Sequence, residues 1–306
     1  MKNEAEKREI DAICIACQGK RHAPYAVKDG YKVWKCETCG TLFLFPPPGQ
    51  SETESTYGEE YFAGAKEGFG YVDYDADKAA MRSVFERYLR DFERILGKAG
   101  RLVDIGAATG YFMKIVGERG WVTQGIEISA YAAEFGRNRG LDIETGTIHA
   151  ATFEKESFDL VTMWDILEHV PDPTLDIGKA CSLLKPGGLL AINTPDSGSR
   201  FAKLRGPSWH LLVPPEHIFY FNRKSLKLLL DRNGLEILEV GCIGKRFTLE
   251  YLVHMLLRKQ KQAVRQTLLH FFERHQSVGR LPISINLRDN MYLLAKKKHG
   301  KMPEAA

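Results

Sequence analysis

A buried strand that runs directly into a glycine-rich turn is the feature that most constrains how this chain can fold. Residues 102–110 read Leu-Val-Asp-Ile-Gly-Ala-Ala-Thr-Gly. Gly106 and Gly110 can adopt the positive φ angles of a tight turn and let the backbone approach a ligand closely. Glu127 ends the next apolar run, where a carboxylate can accept hydrogen bonds from ribose hydroxyls. The pattern predicts a βαβ unit that binds a nucleoside.

The glycine spacing narrows the choice of nucleotide. Dinucleotide-binding turns have the pattern GxGxxG, whereas this turn has GxxxG, with Asp104 two residues before the first glycine. A Lys-Ser or Lys-Thr pair, as in phosphate-binding loops, is absent after the turn. Pyrophosphate binding is therefore disfavoured. A plain doubly wound domain that binds no ligand is the alternative, which the motifs further along the chain argue against.

Three later motifs follow this turn in a fixed order. Residues 158–170 read Phe-Asp-Leu-Val-Thr-Met-Trp-Asp-Ile-Leu-Glu-His-Val, residues 183–188 read Leu-Leu-Lys-Pro-Gly-Gly, and residues 215–221 read Pro-Glu-His-Ile-Phe-Tyr-Phe. Together with residues 102–110, the series resembles class I S-adenosylmethionine-dependent methyltransferases. The family often has a third glycine where this chain has Ala108. Alanine is small enough to keep the turn, and we expect it to narrow the room for the methionine portion of the cofactor.

The resemblance implies an α/β fold with a Rossmann-like sheet of seven strands, the last of them antiparallel. We assign residues 78–300 to this methyltransferase domain, with a helical insertion at about residues 248–278. Apolar residues at helical spacing predict a helix over residues 78–96, ahead of the first strand. The expected strands are residues 102–105, 123–127, a short run near Ile143, 160–163, 189–193, 237–240 and 291–295, and the turn at residues 183–188 should precede the fifth.

The same resemblance implies where the cofactor binds, because ligands of parallel α/β sheets lie at the carboxyl ends of the strands. S-adenosyl-L-methionine is the implied cofactor. The turn and its acid would hold the methionine portion, Glu127 the ribose, the loop after the third strand the adenine edge, and Trp164 one face of the site. The implied cofactor-binding residues are Asp104, Gly106, Ala107, Gly110, Glu127, Thr147, Ile148 and Trp164.

Methyl transfer to a hydroxyl group requires removal of a proton, and imidazole titrates near working pH. His217 is the favoured base, with His169 second and His210 third; a purely structural hydrogen bond is the alternative for each. The set Asp165, Glu168, His169 and His217 also resembles the metal-binding quartet of the small-RNA terminal 2′-O-methyltransferases. Its first acid is aspartate instead of glutamate, and the shorter side chain makes catalysis without a metal the favoured interpretation.

A cysteine cluster near the amino terminus predicts a second small unit. Cys14, Cys17, Cys36 and Cys39 form two CxxC pairs with the spacing of a four-cysteine zinc site. The segment resembles a zinc ribbon, which we assign to residues 10–45, with short strands near residues 25–27 and 31–34. A closed four-cysteine site is more often structural than functional, so structural Zn²⁺ is favoured over a substrate or RNA clamp.

A proline run at residues 46–48 marks the boundary after the ribbon. We assign residues 46–77 to a linker and cofactor-covering segment, in which Tyr57 and Tyr61 are candidates for folding over the cofactor. Proteins of this kind often carry a tyrosine-bearing segment at that place.

The function predicted from the sequence is methyl transfer to a small-molecule or glycan-precursor acceptor, with oxygen favoured as the acceptor atom. An RNA methyltransferase that uses the ribbon as a clamp and a cofactor-binding scaffold without turnover are the alternatives. The net charge of +4 gives nucleic acid no strong support. The amino terminus lacks a signal-peptide pattern and no apolar run reaches membrane-spanning length, so we expect a cytoplasmic protein without a transmembrane segment.

Overall fold

The structure of the protein, a computed structural model, describes residues 11–48, 74–256, 272, 274–279 and 281–298. Tyr57 and Tyr61 of the predicted cofactor-covering segment lie outside the described residues, as do residues 257–271 of the predicted insertion. No helix in the described ranges is both long enough and apolar enough to cross a lipid bilayer.

The amino-terminal unit is a three-stranded antiparallel arrangement. Strands β1 (His22–Lys28) and β2 (Tyr31–Cys36) form a hairpin, at the positions where the sequence predicts two short strands. Strand β3 (Leu42–Leu44) pairs with β2 on the other side. The cysteine pairs lie before β1 and at the end of β2, so the hairpin carries both of them.

Helices and strands alternate through the rest of the chain, as the sequence predicts. The first part contains α1 (Tyr74–Ala79), α2 (Arg82–Leu96), β4 (Arg101–Ile105), α3 (Tyr111–Gly117), β5 (Val122–Glu127), α4 (Ala130–Arg137), β6 (Ile143–Thr145), β7 (Phe158–Trp164), α5 (Pro173–Leu183) and β8 (Leu184–Pro195). The second part contains α6 (Arg200–Arg205), β9 (Phe219–Tyr220), α7 (Arg223–Arg232), β10 (Leu235–Cys242), β11 (Lys245–Thr248), α8 (Leu249–Leu256), α9 (Gln276–Gly279), β12 (Pro282–Ile285) and β13 (Asn290–Lys297).

Seven of these strands form one sheet in the order β10-β13-β8-β7-β4-β5-β6. The strands from β4 to β8 pair in parallel, whereas β13 is antiparallel to both β8 and β10. The predicted seven-stranded α/β sheet with an antiparallel last strand is confirmed. The carboxyl ends of β4, β5, β7 and β8 therefore meet at one edge of the sheet.

Local details differ from the sequence predictions in three places. The helix predicted over residues 78–96 is interrupted at Ala80 and Met81, which separate α1 from α2. The predicted turn at residues 183–188 spans the last residue of α5 and the start of β8, which begins at Leu184 and pairs with β7 across an irregularity. The predicted helical insertion includes α8, but it is flanked by the unpredicted strands β11 and β12. These two strands pair antiparallel although they are far apart in sequence.

The parallel strands are buried on both faces, which explains their continuous apolar runs. Along β4 and β7, Val103 and Val161 belong to one apolar cluster, and Leu102 and Leu160 belong to the cluster on the opposite face. All four side chains are fully buried. Packing on both sides fixes the strands, so the loops at their carboxyl ends begin from rigid positions.

The amino-terminal unit shares a sheet and a core with the methyltransferase-like domain. Strand β3 pairs antiparallel with β9, so Leu42 lies opposite Tyr220. Trp209 and Leu212 of the larger domain pack in one buried cluster with residues of β2 and β3. The two parts of the chain therefore stabilise each other.

Asn222 connects the start of α7 to the cysteine unit, and its removal should destabilise the protein. Its side-chain oxygen accepts a hydrogen bond from the Ser225 N–H at 3.0 Å, and its Nδ2 donates to the Cys39 carbonyl at 3.0 Å. We expect Asn222→Ala to lower the free energy of unfolding by about 1–2 kcal/mol, measured by urea denaturation. The matched variant Asn138→Ala, at an exposed helix end, should change it by less than about 0.5 kcal/mol. Equal effects of the two variants would contradict the capping role.

Candidate functional site

The glycine-rich turn after β4 adopts the conformation that its glycines predict. Gly106 and Gly110 have φ angles of +74° and +77°. The N–H groups of Gly106 and Ala107 both donate to the Ile126 carbonyl, at 2.8 and 3.1 Å, which ties the turn to β5. A Cβ on Gly106 would lie 2.1 Å from Cδ1 of Ile166, so the loop after β7 approaches this turn closely. The two loops form one continuous rim.

Ala108 occupies a position that favours glycine. Its φ angle is +50°, in the left-handed region, which costs a residue with a Cβ about 1–2 kcal/mol. Its N–H donates to Glu127 Oε2 at 2.9 Å, and its methyl group packs against Ala132. The backbone conformation gives a physical reason for a glycine here in related sequences, and the packed methyl group offsets part of the strain.

Glu127 lies at the end of β5, facing the turn. The side chain is 6% exposed, and its two oxygens accept hydrogen bonds from the N–H groups of Ala108, at 2.9 Å, and Ser129, at 2.8 Å. Burial raises the pKa of this carboxyl group, and the two N–H donors oppose the rise. Each carboxylate oxygen has a further lone pair, so Glu127 can still accept hydrogen bonds from a pair of hydroxyl groups.

Asp104 is buried within the same edge of the sheet, with 2% of its surface exposed. Burial raises the pKa of this carboxyl group to about 8, against a lowering effect of the hydrogen bond that Thr162 Oγ1 donates at 2.6 Å. The charge of Glu127 adds to the rise. A positively charged ligand group nearby would favour the carboxylate form.

The other predicted cofactor residues are divided between the rim and the core. Ala107 packs with Met113 under the turn, and Ile148 is 3% exposed within the main apolar cluster, whereas Thr147 is exposed. Trp164 packs against Phe85, Tyr88, Phe112 and Tyr292. Its Nε1 is buried and has no hydrogen-bond partner in the part of the chain that the structure describes.

Helix α1 contacts the turn through Asp75. Thr109 Oγ1 donates a hydrogen bond to Asp75 Oδ1 at 2.5 Å, and Arg139 forms an ion pair with the same carboxylate. Asp75 belongs to residues 46–77, which we predict to cover the cofactor. No sequence motif marks Asp75 as part of the site.

Glu168, His169 and His217 form a cluster at the carboxyl end of β7. One ligand atom from each, a carboxylate oxygen and two imidazole nitrogens, lies within 4.8 Å of the others. The imidazole rings of His169 and His217 meet edge to face with their centroids 4.6 Å apart, and His169 Nε2 lies 3.9 Å from Glu168 Oε1. His217 is 8% exposed. The structure thus brings together the two histidines that the sequence analysis ranked first.

Backbone carbonyl groups define the tautomers of both rings. His169 Nδ1 lies 2.7 Å from the Glu216 carbonyl, and His217 Nδ1 lies 2.8 Å from the Leu211 carbonyl. A carbonyl only accepts, so Nδ1 must donate its proton in each case, and Nε2 carries the lone pair. An Nε2 lone pair suits a general base and equally suits a metal ligand.

Three of the four residues in the predicted metal quartet are in this cluster, and Asp165 is not. Asp165 Oδ1 instead accepts a hydrogen bond from Asn193 Nδ2 at 2.6 Å. Thr194, which no sequence prediction placed in the site, donates to Glu168 Oε2 at 2.8 Å. Asn193 and Thr194 lie close to the carboxyl end of β8, so the rule that ligands lie at the carboxyl ends of strands could have identified them. His210 is half exposed, with Nδ1 3.7 Å from Asp289 Oδ2.

The four cysteines of the amino-terminal unit converge on one point. Their sulfur atoms all lie within 4.8 Å of one another, with Cys14 and Cys39 3.5 Å apart and Cys17 and Cys36 3.6 Å apart. Sulfurs bound to Zn²⁺ at about 2.3 Å in a tetrahedron lie about 3.8 Å apart. The separation of these thiols therefore fits a zinc ribbon.

Hydrogen bonds favour the thiolate form of Cys39, whereas the pairing with Cys39 and burial raise the pKa of the Cys14 thiol. Bonds from the Cys14 thiol and from Thr41 lower the pKa of Cys39 to about 4, in spite of its burial. Thr41 Oγ1 lies 3.1 Å from the Cys39 sulfur. Gly40 has a φ of +81°, which allows the chain to turn back under the sulfurs.

Comparison with known proteins gives the same fold and the same family. The methyltransferase domain family matches residues 78–240. A ubiquinone biosynthesis O-methyltransferase of Saccharophagus degradans is 31% identical over 154 residues, 46% of this chain and 65% of that protein. The enzyme of the same name from Coxiella burnetii is 27% identical over 108 residues, 33% of this chain and 46% of that protein. The chain thus spans about half the length of the curated relatives it matches.

Among solved structures, the YcgJ protein of Bacillus subtilis shares the fold. The two structures align with a TM-score of 0.51 at 14% sequence identity, over 71% of this chain and 98% of that one. At this identity the similarity concerns the architecture of the sheet and its helices.

Proposed function

Because this chain belongs to the S-adenosylmethionine-dependent methyltransferase family, we propose that it transfers a methyl group to an oxygen atom of a small-molecule acceptor. The observation that carries the proposal is the pair of imidazoles, His169 and His217, at the end of β7, one strand away from the rim formed by β4 and β5. A base at that place can serve an acceptor held beside a cofactor on the rim.

S-adenosylmethionine, when bound, supplies an electrophilic methyl group on a sulfonium. We propose that Glu127 accepts hydrogen bonds from the ribose hydroxyls, and that Asp104 with the Gly106 to Gly110 turn holds the charged methionine portion. Thr162 and Ser129 hold these two carboxylates in position. The adenine edge would lie along Thr147 and the loop around it, and Trp164 would bound the site from the side of α2.

His217 is the proposed general base, and His169 would assist it. The Nδ1–H of each ring is held by a backbone carbonyl, so Nε2 is the atom that would take the acceptor proton. Glu168, which accepts from Thr194, lies beside His169 and would stabilise the resulting imidazolium. Glu168, His169 and His217 could instead bind a divalent ion. A chelator distinguishes the two roles, because it would abolish activity only if a metal is required.

An oxygen acceptor is supported by the relatives, which carry the name ubiquinone biosynthesis O-methyltransferase. We extend the proposal to small molecules in general, including glycan precursors. Structural Zn²⁺ at Cys14, Cys17, Cys36 and Cys39 is part of the proposal, supported by the distances between the sulfurs. Cysteines spaced for a metal rather than for disulfides support a cytoplasmic location.

Methyl transfer from labelled S-adenosylmethionine into cell extract tests this proposal. The products are fractionated by size and treated with nuclease. We expect label in small, nuclease-resistant products that contain methyl ethers. Label in nuclease-sensitive material would favour an RNA methyltransferase, and tight cofactor binding without any transfer would favour a scaffold without turnover; either result would overturn the proposal.

Cofactor affinity should depend on pH through Asp104. Because burial raises the pKa of this carboxyl group to about 8, a cationic ligand must displace its proton at lower pH. We expect the dissociation constant for S-adenosylmethionine to rise about tenfold per unit as pH falls from 7.5 to 6. Isothermal titration calorimetry would measure it. Asp104→Asn should bind more weakly at high pH and lose this dependence; an unchanged slope in that variant would assign the titration to another group.

A further inference from the structure

A groove of about 1170 Å³ lies between the cysteine unit and the segment that follows β8. One wall includes Lys35 of β2, and the other includes Lys203 and the loop before α6. The groove is strongly cationic, since its lining contains six basic side chains and one acidic side chain, Asp196. The basic residues are Lys35, Arg200, Lys203, Arg223, Lys224 and Arg288.

Protein groups neutralise only part of this charge. Arg223 contacts Asp196 at 3.3 Å, and Lys224 donates to the Thr38 carbonyl at 2.8 Å. The side chains of Lys35, Arg200, Lys203 and Arg288 are exposed and make no hydrogen bond or ion pair within the described ranges of the chain. Cations concentrated in a concave surface attract anions, because the low-dielectric walls focus their field.

One wall of the groove is linked through the backbone to the segment that carries the proposed base. Asp196 comes directly after the last residue of β8. Ser197 donates its N–H and its hydroxyl to the Phe221 carbonyl, both at 2.8 Å, next to β9. Strand β9 begins two residues after His217. One wall of the groove is therefore bonded to the segment that carries the proposed base.

We propose that this groove binds the phosphate groups of a phosphorylated small-molecule acceptor, an inference that rests on the proposed methyl transfer. Phosphate oxygens match cations that make no hydrogen bond or ion pair with the described residues. Tyr25 and Phe201 also line the groove, as does Leu204, whose side chain is 83% exposed. These apolar surfaces give the organic portion of the same acceptor a place to lie.

The charge of the whole chain favours a small phosphorylated molecule over RNA. The sequence pI is about 8.6 and the net charge is +4, lower than is usual for a nucleic-acid-binding domain. The cationic residues are gathered in one bounded groove, and its volume fits a molecule of nucleoside diphosphate size.

Calorimetric titration of the full chain with inorganic pyrophosphate and with uridine diphosphate tests this inference. The groove variant is Lys35→Ala with Lys203→Ala, one change in each wall. The matched control is Lys98→Ala with Lys155→Ala, two exposed lysines near the amino ends of β4 and β7. Both variants remove the same charge, so long-range electrostatics change equally. A 12-nucleotide RNA is titrated in parallel.

We expect both phosphate probes to bind the parent protein, and the groove variant to weaken their binding at least about tenfold while the control weakens it less than about twofold. Equal weakening in the two variants, or no binding of either probe, would overturn the inference. The groove would be assigned to nucleic acid instead if RNA bound more than about tenfold more tightly than uridine diphosphate and the groove variant weakened that binding.

S-adenosylmethionine titrated into the same samples separates this inference from the proposed function. If the cofactor binds the parent protein and the groove variant equally but the phosphate probes do not bind, only the groove assignment fails. If the cofactor does not bind the parent protein, the proposed methyl transfer fails as well.

Discussion

Alanine at Cys14 together with Cys36 is expected to unfold the amino-terminal unit and to lower the melting temperature by at least about 10 °C. Structural zinc sites of this type contribute about 10–16 kcal/mol of binding free energy. In a chain of this size, loss of even about 5 kcal/mol of stability would lower the melting temperature by about 10 °C. The effect should extend into the larger domain because β3 pairs with β9 and because Trp209 packs against residues of β2 and β3.

Three measurements check this prediction. Calorimetry gives the melting temperature, and elemental analysis should find about one zinc per parent chain and almost none in the double variant. Trp34 and Trp209 are 6% and 2% exposed, so tryptophan fluorescence should shift to longer wavelength as they meet water. Cys242→Ala removes a partly buried thiol outside the cluster and should keep the zinc. The zinc ribbon would be refuted if the parent protein contained no zinc and the double substitution left its melting temperature unchanged.

Substitution of asparagine for His217 is expected to reduce kcat by about 100- to 10,000-fold, the range typical of a lost general base. The asparagine amide can still donate to the Leu211 carbonyl, which His217 Nδ1 contacts at 2.8 Å, so the fold should survive. The group that accepts the acceptor proton is lost. Cofactor affinity should change less than about twofold, because the residues proposed to bind the ribose and methionine portions are left unchanged. Steady-state kinetics with the acceptor fraction from the labelling experiment give kcat, and calorimetry gives the affinity.

His210→Asn is the matched control for this substitution. His210 contacts Asp289 and Phe201, and its half-exposed ring should not affect kcat more than about threefold. If His217→Asn also changes kcat less than about threefold, the assignment of the base is wrong. If a chelator abolishes the activity of the parent protein and Mg²⁺ or Mn²⁺ restores it, the trio of Glu168, His169 and His217 binds a metal instead.

The order of strands and helices was predictable because each parallel strand is a short apolar run between turn residues. β4, β5, β7, β8, β10 and β13 all contain the predicted residues. The pairing of β3 with β9 was not predictable, since β9 has two residues and joins segments that are distant in sequence. Periodicity reports local burial and carries no information about such partners, and the strand pair β11 and β12 escaped prediction for the same reason.

Charged residues at strand ends were the predictable part of the site. Asp104 and Glu127 follow apolar runs, and both are buried at the rim that these runs predict. The hydroxyl groups of Thr162 and Thr194, which hold Asp104 and Glu168, have no periodic signature. A strain that depends on backbone geometry, such as the positive φ of Ala108, was visible in the sequence only as an irregular glycine pattern.

The most direct test of the account is calorimetric titration of S-adenosylmethionine into the parent protein, Glu127→Gln and Glu134→Gln. We predict binding to the parent protein in the micromolar range that is usual for small ligands of enzymes. Glu127→Gln should weaken it by about 10- to 150-fold for each hydrogen bond lost, because we propose that the buried carboxylate accepts from the ribose hydroxyls. Glu134 is an exposed acid on α4, so Glu134→Gln should leave the affinity for S-adenosylmethionine unchanged. No binding to the parent protein, or equal binding to all three proteins, would contradict the assignment of this rim as the cofactor site.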